Sequence, residues 1–242
     1  MSKPALNCDL GEGTNNEAQI MPFIDSCSIA CGGHAGDSQS MEQAIILAKK
    51  NNVLAGAHPS YPDRENFGRV MMDMEDSQFI LSLQEQLKSI DDLLQKHQLP
   101  LHHIKAHGAL YNTLVKDPVA ALLYLKAIQN YKTRCYLYVP YGSVIAMLAK
   151  KGGFKIKYEA FGDRSYRDDL SLMPREELGA VIQDKQQVYQ QIYAIKTSGN
   201  VPSATGNNVP IKADTFCIHS DTANAVAILT YLQEQFQRHD FG

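Results

Sequence analysis

The sequence predicts an α/β chain: a closed or nearly closed (β/α) barrel of seven strands, with an open doubly wound sheet as the alternative. Three observations carry that expectation. Through most of the 242 residues, short apolar runs of strand length alternate with longer segments that hold an apolar stripe at helical spacing. The runs are apolar on successive residues, as strands buried on both faces are. Histidines or carboxylates recur where a run ends, and in parallel α/β folds those ends converge on one mouth.

Taken in order, the first strand is expected at Ala5–Cys8, followed by a turn with Asp9, Gly11 and Glu12. The second, Ser26–Cys31, runs into the glycine-dense stretch Gly32-Gly33-His34-Ala35-Gly36-Asp37. A helix follows with the stripe Met41, Ala44, Ile45 and Ala48, and Asp37 or Ser38 as its cap. Strand three, Val53–His58, opens a loop stiffened by Pro59 and Pro62. The stripe Phe79, Ile80, Leu83, Leu87, Ile90 and Leu94 marks the next helix, with Ser77 as its expected cap. His103–His107, Cys135–Pro140 and Lys155–Phe161 are strands four to six. Pro174 followed by Glu176 and Glu177 suits the first turn of a helix. Residues 198–210, rich in Gly, Asn, Pro and Ser, read as a hairpin or mobile loop placed to lie over the mouth. The last strand is Thr215–His219. Asp221 or Thr222 would cap a final helix with the stripe Ala225, Ile228, Leu229, Leu232 and Phe236. No linker or composition break interrupts the chain, so residues 1–242 are expected to form one domain.

Composition narrows the function. The formal charge is −3 and no Lys/Arg block occurs, which argues against nucleic acid or an anionic membrane as partner. No apolar run reaches membrane-spanning length, and the N-terminus has no signal-peptide shape. The five cysteines are odd in number and sit mostly in apolar runs, as buried thiols of a cytoplasmic protein do. Cys27 and Cys31 lack zinc-finger spacing. No Walker A motif is present, so a nucleotide site would be non-standard or lie on another subunit.

Four of the eight histidines, His34, His58, His107 and His219, end strand-like runs, and Asp9 ends a fifth. Each imidazole suits a metal ligand, a general acid–base or a hydrogen-bond donor. Asp9 and Glu12 suit a base, a metal ligand or an orienting partner for a histidine. Lys105 and His107 lie two apart in a strand and share a face. An inward Lys105 needs a partner and is a candidate for binding an anion or polarising a carbonyl. Arg64 and Arg69 suit a carboxylate or phosphate. Tyr111 and Asn112 can add hydrogen bonds, and Glu159, Asp163 and Arg164 cluster at the predicted mouth. Asp221 is placed either to orient His219 or to cap the last helix.

Seven ordered motifs carry a resemblance. They are Asn7-Cys8-Asp9-Leu10-Gly11-Glu12, Ile29-Ala30-Cys31-Gly32-Gly33-His34-Ala35-Gly36-Asp37 and Gly56-Ala57-His58-Pro59-Ser60-Tyr61-Pro62-Asp63, then Phe67-Gly68-Arg69, His107-Gly108-Ala109-Leu110-Tyr111-Asn112, Asp163-Arg164-Ser165-Tyr166 and Cys217-Ile218-His219-Ser220-Asp221. Nearly end to end, the chain resembles the LamB/YcsF lactam-utilisation family, the A subunits of prokaryotic 5-oxoprolinase. The resemblance implies a seven-stranded (β/α) barrel similar to carbohydrate deacetylases. It further implies ATP as co-substrate, separate B and C subunits, and opening of 5-oxoproline to L-glutamate. The chain departs from the family's usual residues at Ser28, Gly33, Ala106, Gly162, Ser220 and Ala223, and keeps its ionisable ring. Two other readings are a stand-alone metal-dependent amide or N-acetyl hydrolase, with Asp9, His34, His58 and His219 around a divalent ion, and a non-catalytic substrate-binding subunit. Which subunit holds ATP, and whether the chain forms a homo-oligomer, stay open.

Overall fold

The computed structural model describes residues 2–238. Its elements in chain order are β1 (Leu6–Leu10), α1 (Glu17–Ile20), β2 (Ser26–Ala30), α2 (Ser38–Asn51), β3 (Leu54–His58) and α3 (Asp76–Lys96). There follow β4 (His103–Ile104), α4 (Gly108–Lys116), α5 (Pro118–Ala127), β5 (Tyr136–Pro140), α6 (Val144–Lys151) and β6 (Lys155–Phe161). The chain continues through α7 (Lys185–Ser198), β7 (Asn200–Pro202), β8 (Asn208–Pro210), β9 (Thr215–Cys217) and α8 (Ala225–Arg238). Seven parallel strands close the barrel in the order β1-β2-β3-β4-β5-β6-β9. Closure is made by β9, which pairs Phe216 with Leu6 on one side and Ala160 on the other.

Side chains alternate across each strand, and here the two sets differ in chemistry. The apolar set, including Leu6, Cys8, Leu10, Ile29, Val139 and Phe216, is buried against the helices. The inward set is polar and cross-linked. Asn7 Nδ2 donates to Thr215 Oγ1 at 2.9 Å, Ser26 Oγ lies 3.2 Å from the Tyr138 hydroxyl, and Ser28 Oγ lies 3.1 Å from His103 Nε2. His103 stacks on Tyr138 with ring centroids 3.9 Å apart. Its ring takes the room a side chain at Gly56 would need, since a Cβ there would meet it at 2.3 Å. Burial pushes the His103 pKa well below the usual histidine range, with repulsion from the nearby His102 and Lys105 adding to it.

Several local expectations change. β1 extends to Leu10, so Asp9 stands inside the strand. The ladder of β4 stops at Ile104, although the extended backbone continues, with Lys105 N donating to Ala57 O and His107 N to Pro59 O. Likewise β9 stops at Cys217, two residues short of His219. Asp37 caps α2 in a reciprocal box with Ser40, whereas Ser77 caps nothing: α3 starts at Asp76 without a side-chain cap. No helix starts at Pro174. Residues 162–184 form an irregular loop, and α7 begins at Lys185 under an Asp184 cap. Neither Asp221 nor Thr222 caps α8. Thr222 donates to Asp163, and Asp221 pairs with arginines. Residues 200–210 do form a hairpin, but it braces the 162–184 loop from outside: Ala204 N donates to Tyr166 O, and Ser203, Thr205 and Asn207 all bond Asp168.

Gly33 makes room for the Gln86 side chain. A Cβ at residue 33 would lie 2.5 Å from Gln86 Oε1, which accepts from Ser60 N and ties α3 to the loop after β3. All five cysteines are free and buried. Among the described residues no helix is long and apolar enough to cross a membrane.

Because Gly56 faces the His103 ring, Gly56→Ala is expected to destabilise the barrel by about 1–3 kcal/mol through overpacking. A urea melt reads this as a lower midpoint at unchanged slope. An unmoved midpoint would mean that the ring has room to shift.

Candidate active site

Lys105 defines the floor of the mouth. Its Nζ lies 2.9 and 3.1 Å from the two Asp9 carboxylate oxygens, 2.9 Å from Glu159 Oε1 and 3.3 Å from Cys217 Sγ. None of the Lys105, Asp9 and Glu159 side chains is more than 5% exposed. Burial alone would pull the Lys105 pKa down, but the adjoining charges, Asp9 foremost, hold it well above the usual lysine range. The Glu159 contact is an ion pair by distance, without a well-directed hydrogen bond to either carboxylate oxygen.

Three imidazoles stand beside this floor. His58 Nδ1 bonds the Lys105 carbonyl at 2.8 Å, so Nδ1 is the donor. His58 Nε2 then faces Asp9 Oδ2 at 3.3 Å and His107 Nδ1 at 3.0 Å. His107 in turn donates from Nε2 to the Phe67 carbonyl at 2.9 Å, and its Nδ1 lies 3.4 Å from Glu12 Oε1. His34 lies flat on His107 with centroids 3.6 Å apart, and its Nε2 is 3.0 Å from Glu12 Oε1. Burial pushes the pKa of His34 down and that of His107 well down. Burial would do the same to His58, but the Asp9 charge reverses it and raises the His58 pKa. The Asp9 carboxyl itself is held well below the usual range: burial opposes ionisation, and the charges on His58 and Lys105 outweigh it.

A strained loop makes this arrangement. Phe67 has φ 55°, a left-handed conformation that costs a non-glycine residue on the order of 1–3 kcal/mol. It is held there by Gly68 N bonding Asp63 O and by Asn66 N bonding Asp63 Oδ1. Gly108, at φ 57°, lets α4 come close: a Cβ would sit 2.4 Å from Gly68 O.

Above the floor is a cleft of about 310 Å³. His219 borders it. Its Nδ1 lies 3.0 and 3.2 Å from the Asp163 carboxylate oxygens, which also accept from His219 N and Thr222 Oγ1. Burial would raise the Asp163 pKa, but His219 and these hydrogen bonds outweigh it and hold the carboxyl below the usual range. The carboxylate that orients His219 is therefore Asp163, not Asp221. With Nδ1 donating, Nε2 is the nitrogen left to accept from a group in the cleft.

Asp221 instead joins two arginines at the rim, Arg69 at 2.9 Å and Arg175 at 3.1 Å. Sequence reasoning missed Arg175 by assigning its segment to a helix, and missed the Phe67 carbonyl because backbone groups leave no mark in a sequence. Arg164 borders the cleft but bonds the Ala180 and Met173 carbonyls, so it mainly shapes the loop. Arg64 turns away to the Gly36 carbonyl. Tyr111 and Asn112 line the cleft wall, and the Tyr111 hydroxyl is buried without a directed partner.

Two donor groups are compact enough for a cation among the described residues: Glu12, His34, His58 and His107, and separately Asp9, Cys217 and His219. The four sequence-based candidates are thus divided between two groups. The second suits a metal poorly, because burial pushes the Cys217 thiol pKa well up and the Lys105 ammonium already sits 3.3 Å from its sulfur.

The LamB/YcsF family model matches residues 5–242. This chain belongs to the LamB/YcsF family. It is 36% identical to a Histophilus somni protein named as the A subunit of 5-oxoprolinase, over 98% of this chain and 96% of that one. A Pyrococcus furiosus protein of the same name is 34% identical, over 97% and 94%. The crystal structure of a lactam utilization protein from Thermus thermophilus superposes with a TM-score of 0.89 at 31% identity, covering 98% of this chain and 97% of that one.

Removing the ammonium tests the floor. Lys105→Met leaves Asp9 and Glu159 buried without a counter-charge and is expected to cost about 3–5 kcal/mol in a denaturant melt. Adding Glu159→Gln should recover part of the loss. A double variant no more stable than the single one would remove Glu159 from the pairing.

Proposed function

We propose that this chain is the lactam-opening subunit of an ATP-dependent, cytoplasmic 5-oxoprolinase, a hydrolase that converts 5-oxoproline to L-glutamate together with separate B and C subunits. The observation that carries the reading is the cleft itself: an oriented His219 on one side, a pair of arginines at the rim, and a volume suited to a small acid. The names of the full-length relatives support it. The cleft is at the small end for ligand sites and matches 5-oxoproline better than a whole nucleotide, which favours ATP binding with a partner subunit.

An unstrained five-membered lactam is a poor electrophile. Transfer of a phosphoryl group from ATP to the amide oxygen gives ADP and an activated ring carbon. Water then adds to that carbon while His219 Nε2 takes its proton and Asp163 steadies the charged ring. The ring C–N bond breaks, the nitrogen takes up a proton, and a second water cleaves the resulting acyl phosphate to glutamate and inorganic phosphate. Arg69 and Arg175 are assigned to the substrate carboxylate, which would replace Asp221 as their partner. Lys105, already saturated, supplies positive potential from beneath the cleft.

A stand-alone metal-dependent amide hydrolase is the second reading, favoured by the histidine and carboxylate cluster. Glutamate release from 5-oxoproline, measured with B and C subunits and with ATP present or omitted, separates the two. ATP-dependent release supports the lactamase; ATP-indifferent, chelator-sensitive hydrolysis supports the alternative.

Within the first reading, Asp163→Asn is expected to present the wrong His219 tautomer and lower kcat by roughly 10²–10⁴-fold with the fold intact. Full turnover in that variant would remove the His219 base. Arg175→Ala is expected to raise KM for 5-oxoproline by about tenfold or more while kcat changes little. An unchanged KM would release Arg175 from the carboxylate.

A further inference from the structure

We propose that His58 Nε2, His107 Nδ1 and Glu12 Oε1 together bind one divalent transition-metal ion, with the Asp9 carboxylate, itself held by Lys105, as a counter-charge beside it. The inference goes beyond the lactam-opening reading and does not depend on it. It starts from two hydrogen bonds that leave no choice of tautomer. His58 Nδ1 and His107 Nε2 each face a backbone carbonyl, which can only accept. In neutral rings the opposite nitrogens, His58 Nε2 and His107 Nδ1, therefore both present lone pairs. They point at one another across 3.0 Å. Two lone pairs at that distance repel, so a positive charge belongs between or beside them.

The charge count favours a dication over a single proton. The side chains of Asp9, Glu12 and Glu159 are 5%, 6% and 0% exposed, and the only ammonium among them is that of Lys105. A proton on His58 leaves this group one negative charge in excess (three carboxylates against two cations), whereas a divalent ion balances it. The spacing fits as well. A tetrahedral ion with bonds of about 2.0–2.1 Å holds its donors roughly 3.3 Å apart. The three donors here are separated by 3.0 Å for the two histidine nitrogens, 3.4 Å for His107 to Glu12 and 3.9 Å for His58 to Glu12. Two imidazoles with a carboxylate suit zinc, cobalt or manganese better than calcium or a thiophilic ion. The carbonyls behind the two rings are what ligating histidines commonly bond with their second nitrogen.

His34 has a supporting place. Its Nδ1 is buried without a partner, so ligation through Nε2 would strand a buried N–H. Donating from Nε2 to Glu12 Oε1 instead aims that carboxylate, which makes His34 a positioning residue.

The test uses the full chain, stripped with chelator and dialysed, then titrated by calorimetry with Zn²⁺, Co²⁺ and Mn²⁺ in separate runs. One equivalent bound is expected, with a rise in melting temperature and visible d–d absorption for Co²⁺. His107→Gln should lose all three signals, Glu12→Gln should weaken binding by about tenfold or more, and His97→Gln, at the surface, should change none. Glu12 lies in a loop, so its variant keeps the test decisive where the buried histidine change fails to fold. Failure of all three ions to bind the stripped wild type, or equal binding by both site variants, overturns the site. In that case ¹⁵N NMR showing a proton on His58 Nε2 would assign the gap to a shared proton. Glutamate release together with failure of all three ions to bind would sink the metal site and leave the lactamase reading standing. Ion binding without ATP-dependent release would do the reverse.

Discussion

The buried ammonium of Lys105 is the constraint on which the mouth of this barrel depends. It contacts carboxylates from opposite sides of the closure, Asp9 on β1 and Glu159 on β6, and its own carbonyl fixes the ring of His58. One residue thus sets the charge of the floor with its side chain and a histidine tautomer with its backbone. A buried ion pair contributes little net stability compared with apolar packing, and often less than nothing. Its value lies in specificity. The charges on His58 and Lys105 together hold the Asp9 carboxyl well below its usual range, where burial alone would raise it.

The barrel interior explains why such a floor can exist. In an apolar barrel an ammonium would meet only hydrocarbon. Here the inward faces below it already carry Asn7, Ser26, Ser28, His103 and Thr215, paired either across adjoining strands (Asn7 with Thr215) or across the barrel interior (Ser26 with Tyr138, Ser28 with His103). The apolar run seen in each strand comes chiefly from the outward set packed under the helices, with small or hydroxyl residues between. Buried polar layers of this kind hold a structure to one register when their members are satisfied, since any slip leaves donors unpaired in low dielectric.

That alternation also decides what the sequence could reveal. Strand–helix alternation located all seven barrel strands, because apolar runs and stripes are local properties of the chain. The convergence of His58, Lys105, His107 and His219 was legible too, since strand ends meet by topology. Partner choice was not. His219 takes Asp163 from the loop after the neighbouring strand rather than Asp221 two residues on, because Asp221 is drawn to Arg69 and Arg175 across the rim. Pro174, Glu176 and Glu177 have helix-start chemistry, yet the segment stays irregular. Arg164 binds Met173 O and Ala180 O, and the β7–β8 hairpin bonds Tyr166 and Asp168, so long-range hydrogen bonds outcompete local preference there. Phe67 was unreadable for a related reason, since its left-handed backbone is imposed by Asp63 and by the close approach of Gly108.

The two histidine groups differ in a way that separates their chemistry. His58 and His107 have one nitrogen spent on a carbonyl and the other turned toward carboxylates and each other, in a place where burial and mutual repulsion suppress a second charge. Such rings are fixed donors, suited to holding a cation. His219 is different. It shares the cleft with His58 and His107, but it stacks on Phe161 at 5.3 Å and is held by a carboxylate that can stabilise a gained proton. A ring that must accept and release a proton in each turnover needs contact with the substrate and a partner that tolerates both states, and of the four strand-end histidines His219 best combines the two.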